Sequence, residues 1–193
     1  KVAQRTIPWT DARATVLTTY LFPRVNLALR PRIFAELKPG TRVVSHEFDF
    51  GKWKPDARVT VAVPNKSYGP PRSDVMLWIV PASAAGQWQW RSAFGDSPVD
   101  CELRLQQTFQ ELRGTASVDK RPAEIEDVRL RGDEIRLTLV AQMNGRAVKQ
   151  DFSGRISADT IRGETHAHGG ASGGDWEARR ISREDINIDA ATD

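Results

Sequence analysis

The chain has 193 residues, 27% of them charged, with a net charge of +3 and a mean hydropathy of −0.48, a globular composition with room for one core or two small ones. No apolar run reaches the ~20 residues that span a bilayer, and the single cysteine, Cys101, excludes an internal disulfide framework. Basic residues are interleaved with acids; the one cluster, Arg24, Arg30, Arg32, Lys38 and Arg42, reads as a solvated helix face. Nothing forms the continuous basic stripe with stacking aromatics that nucleic acid would need.

Residues 1–13 are polar and irregular, and Pro8-Trp9-Thr10-Asp11 marks a turn. Residues 14–21 are apolar and β-branched, the composition of a strand buried on both faces. Pro23 breaks the run. Asn26 offers a helix cap, and Leu29, Ile33 and Leu37, spaced i, i+4, i+8, line one helix face. Pro31 fits best if this helix starts near Leu29 or Arg30, where a missing N–H costs little. Lys38-Pro39-Gly40 ends it, and residues 41–50 return as a second strand. A strand–helix–strand of this length predicts two parallel strands with a right-handed crossover. After a turn-rich connector, residues 58–63 and 75–80 pair as a hairpin across the loop of residues 64–74.

From Gln87 onward the period changes to two. Trp88 and Trp90, then Leu103, Leu105 and Phe109, then Ile135, Leu137 and Leu139 each alternate with polar neighbours. Turn signals fall at Arg113-Gly114, Arg131-Gly132-Asp133, Asn144-Gly145, Ser153-Gly154 and Ala158-Asp159, the Asn-Gly pair being the strongest. The expectation is about eight strands over residues 87–180, an antiparallel meander closed as a sandwich or a small barrel. Residues 166–174 form a glycine-rich loop, and the acidic end frays. The layout is therefore an α/β domain (residues 1–82), an all-β domain (83–181) and a tail (182–193).

The residues 14–23 (ATVLTTYLFP), with Asn26, Leu29, Arg30 and Pro31, then residues 36–46 (ELKPGTRVVSH) and Trp53-Lys54-Pro55, resemble a known family. They resemble the fourth and fifth strands, and the helix between them, of class I S-adenosylmethionine-dependent methyltransferases. The likeness is greatest to bacterial relatives of the seven-strand protein-lysine methyltransferases, and it covers roughly a third of the chain. It implies a partial Rossmann-like sheet whose final antiparallel hairpin closes one side. It also implies that the segment after the first strand faces the methyl group and the acceptor. Tyr20 would then be the catalytic residue, hydrogen-bonded to the acceptor amine, and Thr18, Phe22, Pro23 and Asn26 would line the acceptor pocket. The family's cofactor loop, Gly-x-Gly-x-Gly, is absent, and only thirteen residues precede Ala14. With Lys1 in place of Met, the expectation is the C-terminal part of a longer methyltransferase, its N-terminal half missing and this piece inactive alone. S-adenosylmethionine is the implied cofactor of the complete protein, and a protein or small molecule the methyl acceptor. The resemblance to exported bacterial relatives implies a periplasmic or secreted protein, with the cytoplasm as the alternative.

Other constellations carry weaker chemistry. Glu47 and Asp49 fall on one strand face about 7 Å apart, a carboxylate-pair spacing, but the solvated end of a strand accounts for them. His166 and His168 supply only two metal ligands, short of a zinc site, so no metal is expected. Cys101 has no base placed beside it and reads as a buried thiol. Trp53, Trp78, Trp88, Trp90 and Trp176 read as core. The competing function is a non-catalytic binding module in which the β domain recognises a partner or a small apolar ligand.

Overall fold

The computed structural model describes residues 14–94, 97–168 and 173–189. The Trp9 turn, part of the glycine-rich loop and the last four residues lie outside them. The chain divides into two compact units, one ending at Val80 and the other running from Pro81 to Asp189.

The first unit is a small mixed sheet with one helix. It contains β1 (Val16–Thr19), α1 (Pro23–Glu36), β2 (Arg42–His46), β3 (Ala57–Ala62) and β4 (Arg72–Ile79). The strand order is β1-β2-β4-β3. The β1 and β2 strands are parallel, and β4 runs antiparallel to both β2 and β3. Gly40 sits at φ +87 in the turn after the helix, a conformation that suits glycine, and its N–H donates to the Val80 carbonyl at 2.8 Å.

Three local expectations are corrected. The helix begins at Pro23, not near Leu29, and its N-cap position is Phe22, with no side-chain cap. Proline at the first helical position needs no N–H partner, which is why Pro23 starts the helix that it was expected only to precede. Pro31 therefore lies inside the helix. The helix buries Asn26, Arg30 and Ile33 rather than a Leu29–Ile33–Leu37 stripe. Lastly, β1 is not buried on both faces: Val16 is 44% exposed. The unit's core is aromatic instead. Phe50, Trp53 and Trp78 are fully buried, with ring centroids 4.9–6.0 Å apart, and Trp78 Nε1 donates to the Trp53 carbonyl at 2.8 Å.

The second unit is an eight-stranded antiparallel barrel. Its strands are β5 (Gly86–Phe94), β6 (Ser97–Thr108), β7 (Glu111–Val118), β8 (Arg121–Arg131), β9 (Glu134–Met143), β10 (Arg146–Ser157), β11 (Thr160–Ala167) and β12 (Gly173–Arg183). Each pairs with the next, and β12 closes on β5. The two-residue turn at Asn144-Gly145 has both residues at positive φ, as a hairpin with right-handed strand twist requires. Asp119 and Lys120 form a second turn of this kind, unmarked by glycine.

Gly114 and Gly154, by contrast, are not turns but strand-interior positions. A Cβ on Gly114 would stand 2.1 Å from the Arg104 carbonyl oxygen; one on Gly163, the partner of Gly154, would stand 1.9 Å from that of Ser153. These glycines allow the close backbone approach of tightly coiled strands. Trp176, paired in register with Gly163, donates its Nε1 to the Ser153 carbonyl at 2.9 Å.

The interior is filled by Trp88, Trp90, Phe94, Leu103, Leu105, Phe152, Ile161 and Trp176, all at most 5% exposed. The outward positions of β5 and β6 are Gln87, Gln89, Arg91, Glu102 and Arg104, so the polarity is opposite to that of a membrane barrel. No described helix is long and apolar enough to cross a membrane. The described part of the tail, residues 182–189, is tied down at Asn187 rather than frayed: the Asn187 N–H donates to the Gln107 carbonyl at 2.9 Å, and the Asn187 carbonyl accepts from the Phe109 N–H at 3.2 Å.

Candidate functional site

The two parallel strands β1 and β2 end side by side, with Thr19 opposite Ser45 in register. Ligands of open α/β sheets bind beyond such carboxyl ends. The residues that follow are exposed: Tyr20 is 59% and Phe22 76% accessible. Thr18 is exposed on β1, and Pro23 is exposed at the first turn of the helix. The Tyr20 ring meets His46 edge-on with centroids 4.7 Å apart, and Phe22 lies 6.2 Å from Phe48.

The loop of residues 64–71, between β3 and β4, reaches this same place. The Tyr68 hydroxyl contacts the Tyr20 hydroxyl, and the Lys66 ammonium contacts the Glu47 carboxylate. The hydrogen bond to Tyr68 holds the Tyr20 phenol above its ordinary pKa, so at neutral pH Tyr20 is a protonated hydroxyl. Lys66, and after it the Ser73 hydroxyl, hold the Glu47 carboxyl below the usual range, which keeps it an anion. Lys66 and Tyr68 are not among the predicted site residues, because a Pro/Gly-rich stretch reads only as loop. The available signal was a lysine and an aromatic placed inside a hairpin connection that must pass the strand ends.

Asn26 differs from the other predicted site residues. It is fully buried on the first turns of α1. Its Nδ2 faces three acceptors, Ser45 Oγ at 3.3 Å, the Phe48 carbonyl at 3.1 Å and the Asp49 carbonyl at 3.2 Å. Ser45 Oγ donates to the same Phe48 carbonyl at 2.6 Å. One helical turn later, Arg30 Nη1 donates to the Phe50 carbonyl at 3.2 Å. Asn26 and Arg30 thus hold the 48–50 loop against the helix. The structure brings Tyr20 together with His46, Glu47, Lys66 and Tyr68; Asn26 stands behind them, out of solvent.

Glu47 and Asp49 do not form a carboxylate pair. The β2 strand ends at His46, Glu47 turns to φ +70, and Asp49 Oδ1 accepts the Gly51 N–H at 3.0 Å. Among the described residues no three His, Cys, Asp or Glu side chains gather as a metal site. His168 instead lies 3.5 Å from Asp151, and His166 3.6 Å from Glu164. Cys101 is fully buried in the barrel, and burial pushes its thiol pKa up to about 12, so it is not a nucleophile.

No family model matches the chain. A protein-lysine N-methyltransferase of Saccharolobus islandicus (strain REY15A) is 46% identical over 57 residues, 30% of this chain and 35% of that protein. The chain thus spans about a third of the length of the curated relative it matches. Among solved structures, an RNA methyltransferase of Salinibacter ruber in complex with S-adenosyl-L-homocysteine is 44% identical, covering 36% of this chain and 40% of the other, with a TM-score of 0.29. The chain is therefore similar over about a third of its length to methyltransferases.

Proposed function

We propose that the α/β unit supplies the acceptor side of an S-adenosylmethionine-dependent methyltransferase, with a protein lysine as acceptor. The observation that carries this reading is the 46% identity over 57 residues to a protein-lysine N-methyltransferase. The gathering of Tyr20, His46 and Tyr68 beyond two parallel strand ends supports it. The residues of this chain do not fit the cofactor itself, since they contain no Gly-x-Gly-x-Gly turn for backbone N–H groups to approach it. Donor binding is accordingly assigned to none of them, and S-adenosylmethionine enters only as the donor of the complete protein.

What these residues do in this reading is bind and orient an amine. Methyl transfer depends on alignment and on a deprotonated nucleophile. The Tyr20 hydroxyl hydrogen-bonds the acceptor amine. Thr18, Phe22 and Pro23 flank the approach, with the Phe22 ring offered to solvent. Asn26 acts from behind, fixing the 48–50 loop and so the ring of Phe48 that Phe22 leans on. The test uses the full-length protein and a lysine peptide. Tyr20→Ala is expected to lower turnover about a hundredfold, the scale of a misplaced reacting atom. Tyr20→Phe separates the hydroxyl from the ring. Unchanged turnover in Tyr20→Ala would sink the assignment.

A further inference from the structure

Lys66 is an uncommon occupant of a surface loop, because its side chain is only 8% exposed. Its ammonium contacts the Glu47 carboxylate, donates to the Arg72 carbonyl at 2.7 Å, and lies 5.6 Å from the centre of the Tyr68 ring. An anion, a carbonyl and an aromatic face are the three partners that together select an ammonium over a neutral group. Glu47 reaches this place from a backbone at φ +70, sparsely populated for a residue with a side chain, and its N–H is fixed on the Asp74 carbonyl at 2.8 Å. Tyr68 in turn touches the hydroxyl of Tyr20.

We infer that Glu47, the Arg72 carbonyl and Tyr68 form a seat for a lysine ammonium, and that Lys66 fills it in cis as an internal competitor of an incoming lysine side chain. The inference rests on the acceptor-site reading for the identity of the incoming group, but the seat itself is a binding site with its own measurement. A lysine that enters must displace Lys66, and with it the loop that brings Tyr68 onto Tyr20. The chain then presents an acceptor site closed by its own side chain until a competing lysine of higher local concentration arrives.

The test is a titration of this chain with n-butylammonium chloride, which copies the lysine side chain, followed by NMR of the Tyr20 and Tyr68 ring protons. Lys66→Ala is expected to bind the probe at least about tenfold more tightly than the unsubstituted chain, because a seat held nine-tenths of the time by its own lysine lowers the apparent affinity by that factor. Adding Glu47→Gln is expected to cancel the gain, and n-butanol is expected not to bind. Lys66→Met keeps the apolar stem in place and is titrated with methylammonium, so that disorder of the loop in Lys66→Ala leaves a decisive variant. Equal affinity with and without Lys66, or a gain that survives Glu47→Gln, overturns the proposal. If Tyr20→Ala leaves methyl transfer intact while the Lys66 variants gain the probe, the function falls and the seat stands; the reverse pair of results removes the seat alone.

Discussion

At the scale of single residues, Asn26 shows how a polar side chain can do structural work that an apolar one cannot. Its two amide hydrogens are shared among three oxygens, two of them main-chain carbonyls of a loop with no regular partner. Replacing Asn26 with Ala removes that donor from the Phe48 carbonyl, which keeps Ser45 Oγ, and from the part-buried Asp49 carbonyl, at a cost of about 1–3 kcal/mol for the lost hydrogen bonds. Asn26→Asp is expected to cost more, since a carboxylate brings lone pairs and charge against carbonyl oxygens and has no N–H to give. Urea titration followed on the backbone NMR signals of Val43 and Trp78, both fully buried in the same unit, measures the order: unsubstituted, then Asn26→Ala, then Asn26→Asp. An Asn26→Asp chain as stable as the unsubstituted one would show that the amide donor is not what holds the loop.

At the scale of elements, the barrel was readable where side chains alternate and unreadable where glycine acts through the backbone. The strict alternation of β5, with Trp88 and Trp90 inward and Gln87 and Gln89 outward, is the period-2 signal itself. Gly114 and Gly154 carry the same letter as turn glycines, yet they mark close strand contacts, which depend on a partner strand that the local sequence does not display. The helix departs from its sequence pattern for a related reason: Asn26 and Arg30 look like surface residues until the 48–50 loop arrives with its carbonyls. The parallel pairing of β1 and β2, and the β3–β4 hairpin, followed from local pattern and turn chemistry. Lys66 and Tyr68 could not be assigned, since their meeting with Glu47 and Tyr20 joins segments about 19 and 48 residues apart. The glycine argument makes its own prediction. Gly163→Ala forces a Cβ to within 1.9 Å of a main-chain oxygen and is expected to destabilise the barrel by about 1–3 kcal/mol, at the upper end of overpacking costs. Gly174→Ala, where a Cβ meets nothing within 4 Å, is the control and should leave the thermal midpoint nearly unmoved. Equal effects of the two would remove close approach as the reason for Gly163.

At the scale of the whole molecule, the two units treat their strand edges in opposite ways. The barrel closes β12 on β5 and so leaves no edge, and its described exterior exposes one large apolar side chain, Ile181 at 54%. The α/β unit has β1 and β3 at the edges of its sheet among the described residues. Every residue of β3 is exposed, with Val59 at 60% and Val61 at 47%, and the β1 side shows Val16, Leu21, Phe22 and Val25. An edge with apolar side chains offers both hydrogen-bonding groups and contact area to another copy of the same strand. The chain studied alone is therefore expected to self-associate, with a sedimentation coefficient that rises with concentration. Val16→Lys places a charge on the first edge, and Val61→Lys does so on the second; each charge must be desolvated for pairing to occur. The variant that restores a concentration-independent monomer identifies the edge responsible. A clean monomer of the unsubstituted chain at every concentration would mean that neither edge pairs, and that the twist and short length of β1 and β3 are sufficient protection.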